Sequence, residues 1–418
     1  MTSVLATAVH PRRHTLRWAT IAIVATLTVS ACTAAQTGAS LPDATAVTAG
    51  ATGGDTAAPL AMAPPVVLTP NVSSTTAVPV DTSVTVTASA GVVTDVSLTY
   101  KDAKAGAVTV GGDISTDGTK WTAHSLLEPG TTYTIAARGR SSAGVEAEST
   151  TTFKTDALTA KQQISASVIG NGMTVGVAMP VVVMFSSPVT DQAAFERALS
   201  VTATPAQEGA WSWFSSREAH WRPAKYWEPG TKVSVKAAIN GVAAGKGTFG
   251  KDNVTGGFTV GSSLVMQADL ASHKMTVMSG DTVLKVIPIT GGKKGYESRS
   301  GTKVIVSKHE TYTMDAATLG VKPGDPEYYS LTVKYAMRET WSGEFVHAAP
   351  WSVRSQGSAN VSHGCIGMST ANASWLFKQA KVGDPIVVSG TPRSLERGNG
   401  YTDWNISFEE FKKGSALS

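Results

Sequence analysis

The stretch LEPGTTYTI, Leu127–Ile135, decides how the first half of this 418-residue chain folds. A Pro-Gly turn feeds a run in which apolar and polar residues alternate, the period-2 pattern of a strand with one buried face. The same unit returns as WEPGTKVSV, Trp227–Val235, 100 residues further on. A turn-and-strand unit recurring at that period implies two tandem β-sandwich modules, at 66–155 and 156–261. TSVTVTAS (Thr82–Ser89) and TTYTIAARG (Thr131–Gly139) alternate in the same way, and turn signals such as TDGT and EPGT separate such runs.

The Cys-Trp-Cys pattern of antibody domains is absent, which leaves bacterial immunoglobulin-like modules. The aromatics WSWF (Trp211–Phe214), Trp221, Tyr226 and Trp227 crowd the second module. They are expected to serve core or interdomain packing rather than a sugar-binding face. From 262 the character changes. LVMQADLASHKMTVMSGDTVLKVIPITGG, GTKVIVSK, YYSLTVKYAM and GEFVHAA read as short strands. STANASWLFKQAK reads as a short helix with Trp375, Leu376 and Ala380 inward, and GDPIVVSG as a closing strand. The expected fold class is therefore mainly β: two sandwich modules, then a β-rich α+β domain over 262–390 and a short C-terminal subdomain over 391–418. The aromatics of that tail are expected to pack it onto the body.

Composition narrows the setting. Hydrophobic residues make up 42% of the chain and charged residues 16%, against about 25% charged in average soluble domains. The net charge of +4 is thinly spread, with no basic run after Arg17, so no nucleic-acid partner is expected. Arg12, Arg13, His14 and Arg17 precede an apolar run, Trp18–Val29, and then VSAC, Val29–Cys32. That order resembles a bacterial lipoprotein signal over 1–32, processed and lipidated at Cys32. Such a lipid would hold the protein on the outer face of the cytoplasmic membrane. The small-residue stretch over 33–65 reads as a tether spanning on the order of 30 Å.

Lipidation of Cys32 would leave Cys365 without a disulfide partner. Cys365 stands in VSHGCIGMS (361–369), a polar, turn-like setting unlike the apolar strands that hold inert thiols. A nucleophilic thiol needs a base. His363 lies two residues away in a tight turn and would point elsewhere. His347 ends the strand-like GEFVH and can face the thiol from a neighbouring strand, so it is the expected general base. Gly364 permits a sharp turn, and the amides there can serve an oxyanion. No Asp or Asn adjoins His347, so a backbone carbonyl is the expected partner of its second nitrogen. Ser362 is expected to stabilise the turn.

His347, fourteen residues, then Ser362-His363-Gly364-Cys365 resembles the signature of the L,D-transpeptidases, the YkuD-type catalytic domain, and the resemblance runs from about Ser262 to the C-terminus. The modules and the DWN tail (Asp403–Asn405) are similar to the mycobacterial branch, and the N-terminus to its lipid-anchored member. The resemblance implies peptidoglycan stem tetrapeptides as donor and acceptor, a Cys365 thioester with His347 as base, and 3→3 cross-links. It implies His363 in support, and the amides of His363, Gly364 and Cys365 at the oxyanion. It also implies a lid over about Thr311–Tyr329 with Met314 and Tyr329 on substrate, Trp351 and Ser362 near the cleft, no cofactor or metal, and carbapenem-type β-lactams as covalent inhibitors. The sequence departs at Gly367, usually Asn or Arg in the family, and at Ala348, often Ser. The loss at Gly367 puts rate and substrate preference in question, since a side chain there helps order the site.

Rivals fail on spacing or stay open. No His-Glu-x-x-His exists for a zinc peptidase. SGTK (Ser300–Lys303) fits Ser-x-x-Lys, and SAN (Ser358–Asn360) imitates a second penicillin-binding motif, but no Lys-Thr-Gly follows. A cysteine carboxypeptidase or endopeptidase using the same pair, and a wall-binding lipoprotein with a weak catalytic domain, remain the alternatives. His124, His220, His273 and His309 are expected to be surface or core residues.

Overall fold

The computed structural model describes residues 64–75, 77–103 and 105–418; the expected signal, Cys32 and nearly all of the expected tether lie outside them. Among the described residues no helix is long and apolar enough to cross a membrane.

The chain is mainly β. The first sandwich pairs a sheet of Val67–Pro70, Thr85–Ser89, Lys120–Ala123 and Gly112–Ile114 with a sheet of Gly106–Val110, Gly91–Asp102, Thr132–Ser141 and Glu146–Lys154. The second pairs Ala166–Val168, Val181–Phe185, Glu218–Pro223 and Gly209–Ser215 with Thr174–Val175, Val254–Val260, Lys232–Ala237 and Leu199–Thr204. The repeated Pro-Gly units occupy matching places. Gly130 and Gly230 both adopt positive φ, 63° and 84°, a conformation glycine takes without steric cost. Their N–H groups donate to Asp156 O and Val260 O at 2.8 and 3.0 Å, tying the first turn to the segment just after its module's closing strand and the second to the end of its own. The residue that opens each unit, Leu127 or Trp227, is buried in its own core. Trp221 stacks on Trp227 and Phe185 on Trp213, so the aromatic crowd is packing.

Nine strands follow: β1 (Val265–Asp269), β2 (Lys274–Ser279), β3 (Thr282–Pro288), β4 (Gly301–Val304), β5 (Ser307–Asp315), β6 (Ser330–Arg338), β7 (Phe345–Ala348), β8 (Ile366–Met368) and β9 (Pro385–Ser389). They form a five-stranded sheet in the order β3-β2-β1-β9-β4 and a four-stranded sheet in the order β5-β6-β7-β8. GTKVIVSK is one run in the sequence but two strands here. Ile305 N–H bonds Asp384 O beside the first sheet and Val306 N–H bonds Arg338 O beside the second, so the chain crosses between sheets at that point. The core between the sheets holds Met266, Ile287, Met337, Val346, Ile366 and Ile386. Helix α1 (Thr370–Gln379) is capped by Ser369, whose side chain accepts from Asn372 N–H. Leu376 and the flanking Ala380 point inward as expected. Trp375 is only half-buried, with Lys285 Nζ 4.9 Å from its ring, an arrangement that keeps the ammonium in water over an aromatic face.

The tail packs onto the body and reaches the second sandwich. Trp404 Nε1–H donates to Ala178 O at 2.7 Å, and Arg222 lies over Trp404, Phe408 and Phe411. His220 sits fully buried between Asp403 Oδ1 and Glu218 Oε1, each at 2.8 Å.

Candidate active site

The site is built where β7 and β8 run parallel. Their register pairs His347 with Gly367. Side chains alternate along a strand, so His347, Gly367 and Cys365, which immediately precedes β8, share one face. FVHA is buried throughout, which is why this short strand can hold a histidine rigidly.

The Nδ1 of His347 donates to its neighbour's carbonyl, Ala348 O, at 2.9 Å. A carbonyl only accepts, so the proton is on Nδ1 and the Nε2 lone pair is available. Burial holds the imidazole below its ordinary range, against the hydrogen bond to Ala348. The base is therefore neutral near neutral pH. Cys365 is 9% exposed, and its Sγ–H donates to Gly343 O at 3.7 Å. Burial first, and then the Glu344 and Glu339 carboxylates, push the thiol up to about 12, opposed by the Phe345 backbone and by Lys303. The resting pair is thus thiol and imidazole, not thiolate and imidazolium.

The turn that presents the thiol is strapped from within. Ser362 Oγ donates to Cys365 O at 2.6 Å and accepts from Gly364 N–H at 3.1 Å. Gly364 has φ 122°, a region few residues other than glycine enter. In this resting arrangement its N–H is taken up by Ser362, so of the amides the resemblance assigns to the oxyanion, this one must first exchange partners. The preceding loop is held by Asn360, whose side chain accepts from Gly291 N–H and donates to Leu270 O. Thr290 Oγ1 donates to Ala359 O and accepts from Val361 N–H.

A cavity of about 250 Å³ opens over the thiol. Met314, Tyr329 and Leu331 wall it from the lid side, His347 and Trp351 from β7 and its sequel, and Val361, Ser362, His363 and Cys365 from the nucleophile loop. Met314 belongs to β5 and Tyr329 immediately precedes β6; Asp315 caps the 3₁₀ turn Ala316–Leu319 that starts the lid between them. Of the residues singled out from the sequence, Cys365, His347, His363, Ser362, Met314, Tyr329 and Trp351 meet at this cavity. Gly364 and Gly367 do not line it, so the expectation that Gly367 contacts substrate is not met in this arrangement. A Cβ at Gly367 would stand 2.9 Å from Ala349 Cβ and 3.0 Å from Thr290 Cγ2, so this position is filled by its neighbours. His124, His220, His273 and His309 do not line the cavity. The Ser-x-x-Lys look-alike is not a site either, because Ser300 Oγ donates to Arg393 O and Lys303 is buried in ion pairs.

Sequence reasoning missed Glu327. Its carboxylate accepts from His363 Nε2 at 2.6 Å and from Lys293 Nζ at 3.1 Å, fastening the lid to the nucleophile loop. Those bonds, the one from His363 foremost, hold the carboxyl below its ordinary range. The His363 ring packs against Tyr296 and Tyr329. Gly343, Glu344 and Lys303 were also missed as parts of the site; nothing in their spacing marks them.

Known proteins are similar to this chain. The family model of the L,D-transpeptidase catalytic domain matches residues 264–388, and that of the bacterial Ig domain matches 75–243, one match across both sandwiches. L,D-transpeptidase 2 of Mycobacterium tuberculosis strain CDC 1551 is 36% identical over 339 residues, covering 78% of this chain and 83% of that protein. L,D-transpeptidase 1 of M. tuberculosis strain H37Rv is 42% identical over 220 residues, covering 53% and 82%. A crystal structure of L,D-transpeptidase 3 from M. tuberculosis with a faropenem-derived adduct is 32% identical, covers 53% of this chain and 97% of that one, and gives a TM-score of 0.45.

Proposed function

The chain belongs to the L,D-transpeptidase family, and on that premise we propose that it forms 3→3 cross-links in peptidoglycan through a thioester on Cys365. The observation that carries this reading is the pair of neutral groups, Cys365 and His347, at one cavity beneath a lid. As Cys365 Sγ attacks the diaminopimelate carbonyl of a donor tetrapeptide stem, its proton passes to His347 Nε2. The C–N bond to the terminal D-Ala breaks, and the departing amine takes that proton. The side-chain amine of a second stem's diaminopimelate then attacks the thioester carbonyl and gives its proton to His347. The C–S bond breaks, and the sulfur recovers the proton as a thiol. His363 steadies the lid side of the site, and Ser362 the turn.

Three further readings complete the proposal. A lipid on Cys32 anchors the protein outside the cytoplasmic membrane, which the basic and apolar run ending in VSAC supports. The two sandwiches act as spacers toward the wall, with boundaries near 66–155 and 156–261. A carbapenem acylates Cys365, which the open cavity over the thiol supports.

The test is incubation of the soluble ectodomain with a disaccharide-tetrapeptide, with products read by mass spectrometry. A dimer lacking one D-Ala is expected. A tripeptide alone would make the protein a carboxypeptidase. No product, with Cys365→Ala behaving like the wild type, would overturn the enzymatic reading. Cys32→Ala should release the protein from the membrane fraction, and retention there would overturn the anchor.

A further inference from the structure

Behind the nucleophile turn lies a buried chain of charges that the reaction does not use. Lys303 of β4 is shut off from solvent, and its Nζ donates to Glu339 Oε1 at 2.8 Å and Glu344 Oε2 at 2.5 Å. The other oxygen of Glu344 receives Arg299 Nη1 at 2.7 Å, and Arg299 Nε continues outward to Glu396. Glu339 and Glu344 stand at the two ends of the turn from β6 to β7. That turn is closed by Glu339 N–H on Glu344 O and by Glu344 N–H on Thr340 Oγ1.

This turn touches the nucleophile twice. Gly343, within it, offers the carbonyl that holds the Cys365 thiol. Glu344 lies against the next residue back, since a Cβ on Gly364 would be 3.4 Å from Glu344 Oε1. Burying ions costs several kcal/mol each, so a turn needing only stability would be better packed with apolar side chains. Here neither carboxylate lines the cavity over the thiol.

Taking Cys365 as the nucleophile, we propose that Lys303, Glu339 and Glu344 form a charge clamp that positions the thiol and keeps it protonated until substrate brings His347 into play. The groups facing the sulfur are Tyr329 from the lid, His347 from β7, His363 from its own loop, Glu344 and Glu339 from the turn, and Lys303 beyond them with Arg299 on Glu344. A thiolate formed at rest would add a third negative charge beside Glu344 and Glu339, whose own charges Lys303 and Arg299 already balance. It forms productively only when its proton has moved to His347. In this role Glu344 is a positioning residue that acts through the turn and through its charge.

The test is the rate at which iodoacetamide alkylates Cys365 across pH 6–10, read by peptide mass, so it does not depend on the cross-linking activity. Glu344→Gln keeps shape and removes one charge. It should speed alkylation about threefold at a given pH, since lowering the thiol's pKa by about one unit raises the thiolate fraction about tenfold while the less basic thiolate attacks about threefold more slowly. Glu344→Asp shortens the side chain but keeps the charge, so it should leave the rate near wild type. Burial pushes the Glu339 carboxyl up against the hold of Lys303, so Glu339→Gln should act in the same direction as Glu344→Gln but more weakly, and repeats the test if that variant does not fold. An unchanged rate in folded Glu344→Gln and Glu339→Gln would overturn the proposal. So would Glu344→Asp speeding alkylation as much as Glu344→Gln, since loosening alone would then explain both.

Discussion

His220 makes a pH-dependent tie between the tail and the second sandwich, and its strength can be worked out. The imidazole is fully buried, which by itself pushes its pKa down; the Asp403 carboxylate and then Glu218 outweigh burial and raise it to about 9. An unfolded histidine titrates near 6.5. The folded value is the higher, so the stabilisation is complete below about pH 6.5 and is lost as pH rises through about 9. A gap of about 2.5 pH units, at about 1.4 kcal/mol each, gives about 3–4 kcal/mol. Urea unfolding followed by tryptophan fluorescence at pH 6.5, 8 and 9.5 should show the midpoint falling. His220→Gln should start lower and fall less over the same window. The direct check is the His220 ring proton by NMR, which should stay in its imidazolium position through pH 8. If that resonance titrates near 6.5, or if wild type and His220→Gln lose equal stability across the window, the buried ion triad does not exist as described.

Three other outcomes follow from the site. Because burial holds His347 below its ordinary range and the base acts when neutral, acylation by a carbapenem should rise with pH only below about 6.5 and then stay level; a climb through pH 8–9 in stopped-flow traces would mean that a free thiolate is attacking. Gly367→Asn puts a Cβ against Ala349 and Thr290, so it should cost about 1–3 kcal/mol by overpacking and slow acylation by shifting β7; a melting temperature and rate at or above wild type would refute this. Glu327→Leu cuts the lid from both His363 and Lys293, so KM for the donor stem should rise several-fold with kcat and melting temperature little changed; a kcat loss at constant KM would place Glu327 in the chemistry instead.

The parts of the molecule legible in the sequence are those whose physical requirement is local. The Pro-Gly units declare themselves because a positive φ is needed at Gly130 and Gly230 whatever lies around them. Cys365 stands out because thiols are scarce here, and His347 because a histidine ending an apolar strand has few other uses. Ser362 was readable as a turn hydroxyl because its partners lie within three residues. Glu327, Glu344 and Lys303 were not readable. Each is a single charge that looks solvated in isolation, and its partner lies 34 to 45 residues away for Lys293, His363, Arg299 and Lys303 on these two carboxylates. The break in GTKVIVSK was hidden for a related reason. A continuous apolar run records burial, but not which of two sheets each half joins.

The state of the site after acylation bears on whether an amine or water takes the proposed acyl group. Once the proposed thioester has formed and the leaving amine has carried the proton away, His347 is neutral. Here His347 offers a lone pair, its other nitrogen locked by Ala348 O, so the amine can be stripped of its proton as it attacks. Water could use the same lone pair. Much of the thiol's cavity is walled by apolar groups, Met314, Leu331, Val361 and Trp351, which give a water molecule few partners to hold it in line. Trp351, at 57% exposure, leaves the mouth open to a large second substrate. A long acceptor stem can bind through its length and bring its amine to the thioester with its orientation already fixed. The apolar wall and the open mouth therefore favour the transferase outcome by the same means: they deny water a fixed line of attack and admit a bound stem whose amine is already placed.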